Sequence, residues 1–196
     1  FFFVLSGFLI TYLLYFEKEV SRGFISMNKF YIKKALRILP VFLIALSLAF
    51  LLGSIGFENL PFGINLKIAD IPWFLSFTSN FYIIYGTVSA AIAILWAVSV
   101  EVQFYILWPI IVSFINKKYV PTLLVTIIIL ATIFRFIHSE EPNQILYSTF
   151  SVISGIAIGA LFGFFAFFRK NFTEKMSEFF TRKNVILLYA LFLVVL

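Results

Sequence analysis

The sequence of 196 residues contains no cysteine, one histidine and few charged residues. The absence of cysteine excludes disulfides, zinc–thiolate sites and cysteine nucleophiles within it. Charged residues make up 12% of the sequence, whereas a soluble domain has about 25%. Hydrophobic residues make up 62%, which is more apolar surface than a single aqueous core of this size can hold. The composition therefore predicts an integral membrane protein.

Long apolar runs predict an all-α fold, a polytopic transmembrane helix bundle with about six membrane segments. The predicted segments cover residues 1–16, 36–57, 92–115, 121–137, 146–168 and 184–196. The first and last are shorter than the roughly 20 residues that a span needs, so we expect a fragment forming a single, partial domain over residues 1–196. The aromatic stretch 73–88 is expected to be interfacial or re-entrant.

Basic residues are concentrated in alternate connections between the predicted segments. The first, third and fifth connections hold 13 of the 15 Lys and Arg residues, and only Lys67 and Arg135 lie in the second and fourth. The positive-inside rule therefore places the odd-numbered connections in the cytoplasm. The net charge of +6 is therefore explained by the orientation of the protein in the lipid bilayer, which is its predicted partner. No nucleic-acid partner is predicted.

Three local sequence patterns resemble a known family. Residues 2–11 read FFVLSGFLIT, residues 30–40 read FYIKKALRILP and residues 95–109 read LWAVSVEVQFYILWP. In their order and spacing these runs are similar to the signature segments of acyltransferase family 3, the integral-membrane acyltransferases. The resemblance extends over the whole sequence and is weaker in its C-terminal part.

The resemblance implies an enzyme that transfers an acyl group, often acetyl, from acyl-CoA to a hydroxyl of a cell-surface carbohydrate or related acceptor. Acyl-CoA (acetyl-CoA) would be a donor substrate, with no permanently bound cofactor and no metal, in a multi-pass protein of the bacterial plasma membrane. Two departures from the family pattern matter. Val102 occupies the position of a second acidic residue, and the family's catalytic His is expected on a helix that precedes Phe1.

Glu101 is the first catalytic candidate because it interrupts an apolar segment. A carboxyl group inside a bilayer is costly unless it faces the bundle interior, is protonated or has a partner. Tyr105 and Trp108 follow at i+4 and i+7, so they share its helix face, and Ser99 and Gln103 form a second polar pair. Glu101 is interpreted either as a polar clamp between helices or as a group that positions an acceptor hydroxyl or a base.

A basic stripe forms the candidate donor site. Lys29, Lys33 and Arg37 are spaced by four residues and predict one face of an amphipathic helix at the cytoplasmic interface. Contact with anionic lipid would explain such a face. The resemblance implies a second, compatible role, in which Lys33, Lys34 and Arg37 neutralise the phosphates of CoA.

Arg135 is the second catalytic candidate and lies at the outer end of a predicted segment. It could snorkel to the lipid headgroups, hold the acceptor sugar, or pair with Glu101. His138 follows at i+3, and a general base is often His, but its position differs from that of the family's His. A surface role for His138 is therefore the favoured interpretation.

Small residues in two apolar segments predict close helix packing. Ser6 and Gly7 are adjacent in the first segment, and Ser151, Gly155 and Gly159 recur every four residues in the fifth. No base lies near Ser6 in the sequence, which argues against a nucleophilic role for its hydroxyl.

Two other classes of function remain open on the sequence alone. A proton-coupled transporter or exporter also uses intramembrane acids, although the repeated halves typical of common carriers are not apparent in this sequence. A non-catalytic membrane scaffold is the second alternative. Release of CoA by the full-length protein distinguishes an enzyme from both.

The charge distribution predicts the topology. In full-length protein in intact cells, a cysteine from Glu141→Cys should react with an impermeant thiol reagent, whereas a cysteine from Lys117→Cys should react only after the membrane is opened. Labelling of both positions from the same side would disprove the proposed orientation.

Overall fold

The computed structural model describes residues 1–21, 23–54, 68–85 and 95–169. In these residues 88% of the chain is helical and there is no strand, which confirms the predicted all-α fold. In chain order the helices are α1 (Phe2–Val20), α2 (Met27–Ser54), α3 (Ile71–Leu75), α4 (Ser79–Tyr85), α5 (Leu95–Phe114), α6 (Val120–Ile137), α7 (Pro142–Tyr147) and α8 (Thr149–Phe168). Short 3-10 turns at Ile68–Asp70 and Lys117–Tyr119 precede α3 and α6.

Four stretches of the described chain are long and apolar enough to cross a membrane. They are Met27–Leu52, Leu95–Phe114, Lys117–Ile137 and Pro142–Phe168, and they correspond to the second to fifth predicted segments. The first predicted segment is α1, whose last turns carry three charged residues in succession from Glu17 to Glu19. The sixth, residues 184–196, lies outside the described residues, as do Arg22, Glu58, Lys67, Lys170, Lys175, Arg182 and Lys183.

Helix α2 joins two elements that the sequence analysis treated separately. The expected interfacial amphipathic helix and the following span form one continuous helix, Met27–Ser54. Good helix formers such as Ala35 and Leu36 connect the two parts. Pro40 lies inside the helix and removes one backbone hydrogen bond, but it does not end it. The basic residues therefore lie on the rigid extension of a membrane helix.

The stretch 73–88 does not cross the bundle where the structure describes it. It contains the end of α3 and all of α4, helices of 5 and 7 residues, and residues 86–88 lie outside the described part. Phe77 turns the chain between them with φ of +54°, a conformation that is uncommon for residues other than glycine. Tyr82 donates a hydrogen bond to Asp70 Oδ1 (2.7 Å), which raises the pKa of Tyr82.

A buried polar network holds α4 against α5 and α8. The hydroxyl groups of Ser79 and Ser99 lie 2.7 Å apart. Gln103 Nε2 donates to Asn80 Oδ1 (2.9 Å), and Gln103 Oε1 accepts from Thr149 Oγ1 (2.7 Å). The second polar pair noted in the sequence, Ser99 and Gln103, thus fixes the short helix to the long one. Each bond is stronger where water is excluded, so this end of the bundle is rigid.

Glycine residues let α1 and α8 run side by side in direct backbone contact. A Cβ atom on Gly7 would overlap the carbonyl oxygen of Ile156, and one on Gly159 would overlap that of Val4. Gly163 meets the backbone of Phe8 in the same way farther along. Of the residues predicted to pack closely, Gly7 and Gly159 therefore make the contact that places α1 on α8.

The connections predicted to be cytoplasmic lie at one end of the described bundle. Lys18 Nζ, near the end of α1, donates to Val112 O near the end of α5 (3.0 Å). The Lys117 ammonium lies 5.4 Å from the ring centroid of Phe168, beside Arg169. The helices therefore alternate in direction as the charge pattern requires, while the side of the membrane stays a prediction.

The close approach predicts unequal tolerance of two neighbouring glycines. Gly159→Ala forces a methyl group into the Val4 carbonyl, and overpacking of this kind costs about 1–3 kcal/mol. Gly155→Ala is the matched control, because its Cβ would meet Phe3 Cβ at an ordinary 3.5 Å. In the full-length protein in detergent, Gly159→Ala should lower the melting temperature and Gly155→Ala should not. Equal melting temperatures would contradict this packing.

Candidate functional site

The carboxyl group of Glu101 is held between two helices. Glu101 is 6% exposed and lies on α5. Its Oε1 atom accepts hydrogen bonds from Ser6 Oγ on α1 and from Tyr105 Oη one turn later on α5. Ser6 and Tyr105 are each 8% exposed, so both bonds lie in the bundle interior. Glu101 and Tyr105, which were predicted to share a helix face, are thus joined by a hydrogen bond.

The second carboxyl oxygen of Glu101 is available to a ligand. Among the described residues Oε2 has no hydrogen-bond partner, and Glu101 lines a cavity of about 330 Å³. A carboxyl oxygen that is not bonded inside an apolar bundle is costly. A hydroxyl group entering the cavity would supply the missing hydrogen-bond donor.

This cavity, called here the Glu101 cavity, lies between α1, α2 and α5. Its polar lining comes from Ser6, Lys34, Arg37, Glu101 and Tyr105, and the remainder is apolar. Two side chains predicted to bind the donor therefore face the same space as the catalytic candidate. In the sequence these residues belong to separate candidate sites, because their spacing does not indicate that α2 and α5 meet near Glu101.

Lys34 of α2 contacts Tyr105, which is hydrogen-bonded to the carboxyl group of Glu101. Its ammonium group lies 4.5 Å from the ring centroid of Tyr105, within the range of a cation–π interaction. The hydroxyl group of the same tyrosine donates a hydrogen bond to Glu101. Lys34 is half-buried, so its charge acts in a region of low dielectric constant, where electrostatic interactions are strong.

A second cavity, the basic cavity, lies between α1 and α2. It has a volume of about 480 Å³, and its charged lining consists of the cations Lys33, Lys34 and Arg37 and one carboxylate, Glu17. Lys34 and Arg37 also line the Glu101 cavity, so the two spaces share a cationic border. The three predicted donor residues are thus brought together. Lys29, the first residue of the stripe, is exposed and lines neither cavity.

Two residues of α1 that contact α5 were missed or misjudged from the sequence. Ser6 was interpreted as a packing residue, but its hydroxyl binds Glu101, and only its neighbour Gly7 has the packing role. Thr11 accepts a hydrogen bond from Trp108 Nε1 (2.9 Å), and both are fully buried. The available signal was the presence of hydroxyl groups in an apolar helix, which must find partners there.

Arg135 contacts α8, and its predicted pairing with Glu101 is wrong. Its Nη2 atom donates to Ser151 O (2.6 Å) and to Ser154 Oγ, and Nε donates to Ser151 Oγ (3.1 Å). Arg135 lies in the last turn of α6, next to the first turns of α8, so those serines are nearer than the Glu101 cavity. Its role in holding an acceptor stays a prediction.

His138 is bound within its own helix end. Its Nδ1 atom lies 3.0 Å from Phe134 O, and its ring stacks on that of Phe134 at 4.2 Å. These contacts agree with the structural interpretation favoured above. In the described part of the chain, no group of three or more His, Asp or Glu side chains is placed to hold a metal ion.

Comparison with known proteins gives a match over the full sequence. A family model described as "Acyltransferase domain" matches residues 1–196. An uncharacterised protein of Haemophilus influenzae is 31% identical over 160 residues, which are 74% of this chain and 63% of that protein. The peptidoglycan O-acetyltransferase OatA of Listeria monocytogenes is 28% identical over 185 residues, which are 83% of this chain and 29% of that protein.

The chain spans less than two thirds of the length of these two relatives. No solved structure matches the chain. The geometry of the Glu101 cavity therefore rests on this structure, and the family assignment rests on the sequence match.

Proposed function

This chain belongs to the acyltransferase family whose model spans it, and from that premise we propose that it carries the catalytic cavity of an integral-membrane enzyme. The enzyme transfers an acyl group from acyl-CoA to a hydroxyl group of a cell-surface carbohydrate. Family membership confirms the resemblance carried by the three motifs. The name of the Listeria relative, a peptidoglycan O-acetyltransferase, supports acyl transfer to a carbohydrate oxygen.

One observation carries the proposal: a buried carboxyl group and two cations line the same cavity. Glu101 supplies the carboxyl group, and Lys34 and Arg37 supply the cations. An acyl-CoA donor brings phosphate groups, which need cations, and an acceptor brings a hydroxyl group, which needs a hydrogen-bond acceptor. The Glu101 cavity offers both next to each other.

The donor is proposed to enter through the basic cavity. Lys33, Lys34 and Arg37 line it, and Arg and Lys bind phosphate through charge-assisted hydrogen bonds. Since Lys34 and Arg37 also border the Glu101 cavity, a donor whose phosphates lie in the basic cavity can extend its pantetheine arm along this shared border, which brings the thioester toward Glu101. The donor would then be oriented by charge at one end and by the shape of the cavity at the other.

The transfer balances as an exchange of an ester for a thioester. The acceptor oxygen attacks the thioester carbonyl carbon, a C–O bond forms, and the C–S bond breaks. The acceptor loses its hydroxyl proton to a base, and the departing CoA thiolate takes up a proton, so that the products are an ester and CoA. Glu101 Oε2 is proposed to accept the hydroxyl proton.

Ser6 and Tyr105 are positioning residues in this scheme. By binding Oε1 they hold the carboxyl group and leave Oε2 toward the cavity. A general base must lie within hydrogen-bond reach of the proton that it removes, so a fixed carboxyl group lowers the cost of reaching that geometry. The cation over the Tyr105 ring adds to the rigidity of the same unit.

Glu101→Gln tests whether the carboxyl group takes part in turnover. Glutamine keeps the size of the side chain and accepts hydrogen bonds from Ser6 and Tyr105 through its carbonyl oxygen, but it cannot take a proton. We expect kcat for CoA release by the full-length enzyme to fall by about 100-fold or more. Glu140→Gln, at an exposed carboxyl group, is the control and should be neutral.

The melting temperature of both variants must stay near that of the wild type. Near-normal turnover by Glu101→Gln would assign Glu101 to helix clamping alone. Failure of the wild-type protein to release CoA from any acyl-CoA would instead favour a transporter or a scaffold.

The cations of the two cavities are expected to set the affinity for the donor. The double variant Lys34→Gln/Arg37→Gln should raise KM for acyl-CoA by about tenfold or more, since hydrogen bonds to charged groups are worth about 1.5–3 kcal/mol each. Lys117→Gln/Lys118→Gln is the matched control, because these cations lie at the same end of the bundle but line neither cavity. An unchanged KM in a normally inserted double variant would leave only lipid anchoring.

A further inference from the structure

An apolar groove adjoins the proposed catalytic cavity on the other side of Tyr105. It lies between α2 and α5 and has a volume of about 190 Å³. Ala35, Ile38 and Leu39 of α2 and Val102 and Ile106 of α5 form most of its wall. It has room for a hydrocarbon group, since a cavity of about 150 Å³ lined by apolar side chains admits benzene.

The groove and the Glu101 cavity share part of their walls. Lys34, Ile38 and Tyr105 line both. Tyr105 stands at the border, with its hydroxyl on Glu101 and its ring beneath the Lys34 ammonium group. A ligand held at Lys34 therefore has two directions to extend from the cation, one toward the carboxyl group and one into an apolar space.

Val102 keeps the groove apolar. It lies one residue after Glu101, half-buried in the wall that faces α2. A carboxylate there would be expensive to bury and would exclude a hydrocarbon chain. The valine instead offers a branched, stiff apolar surface.

We infer that this groove binds the acyl chain of the donor and that the enzyme accepts acyl groups longer than acetyl, up to about six carbons. The inference rests on the proposed function. Charge and polarity support it together: the phosphates of CoA suit the cations of the basic cavity, the pantetheine arm separates these phosphates from the thioester, and the acyl chain beyond the thioester is apolar like the groove. An acetyl group alone would leave the groove unfilled.

The test compares acyl-CoA donors of different length on the full-length enzyme in liposomes. Each methylene group buried in the groove is worth about fourfold in kcat/KM, so hexanoyl-CoA, which has four more of them, should be preferred to acetyl-CoA by about 100-fold. Val102→Phe and Ala35→Phe fill the groove and should lower the hexanoyl-to-acetyl ratio of kcat/KM by about tenfold or more. Val102→Ala widens it and should raise the ratio for octanoyl-CoA over hexanoyl-CoA.

Val125→Phe is the matched control. It makes the same substitution on α6 at an exposed position that lines none of the three cavities, and it should leave both ratios unchanged. If the wild type uses acetyl-CoA but prefers it to hexanoyl-CoA by tenfold or more, the groove does not hold the acyl chain, while the proposed function stands.

If both Phe variants keep the wild-type ratio and the ratio follows only the chain length of the liposome lipid, the groove holds a lipid tail and the inference is overturned. If no acyl-CoA is consumed by the wild type, the proposed function itself fails, and the inference fails with it.

Discussion

The packing of this bundle is constrained by a single buried carboxyl group, that of Glu101. Burying Glu101 among apolar helices is expensive, and the structure meets that cost with hydroxyl groups from two helices, Ser6 of α1 and Tyr105 of α5. Each donor in turn needs its own helix held in place. For α1 this comes from the glycine contacts with α8, and for α5 from the polar network that includes Gln103. The site is therefore only as well ordered as the packing around it.

Rigidity is distributed unevenly around the proposed cavity. On one side, α1 and α8 touch through their backbones at Gly7 and Gly159, an arrangement that leaves no room for side chains to rearrange. On the other side, α2 contributes the cations and borders the three cavities, and much of its apolar surface is exposed, as at Val41 and Ile44. The proposed proton acceptor, Glu101, thus lies on a fixed frame, while the cations proposed to bind the donor lie on a helix with more exposed surface. This division suits an enzyme that must exchange a large donor around a fixed reacting centre.

The sequence predicted the elements that depend on composition and spacing. It did not predict which side chains from different helices contact each other. Long apolar runs and the cost of a buried charge predicted the helices and singled out Glu101, and i+4 spacing identified Tyr105. Ser6 was misjudged because a serine beside a glycine has the same appearance as a packing pair, and its partner is 95 residues away. Glu101 was one of the alternatives considered for Arg135, because the sequence does not say that Ser151 and Ser154 are closer. The convergence of α2 with α5, which joins the cations to the carboxyl group, has no local signal at all.

Lys34 borders the Glu101 cavity, the basic cavity and the apolar groove, and this shared position has a thermodynamic consequence. One ammonium group has three protons to donate and cannot satisfy a ligand in every space at full strength. Whatever draws it toward one space alters the free energy of binding in the others. Because such coupling is reciprocal, an acceptor that changes the affinity for the donor by some factor must have its own affinity changed by the donor by that same factor. The binding of one substrate would then change the affinity for the other through the Lys34 side chain, without direct contact between the two substrates.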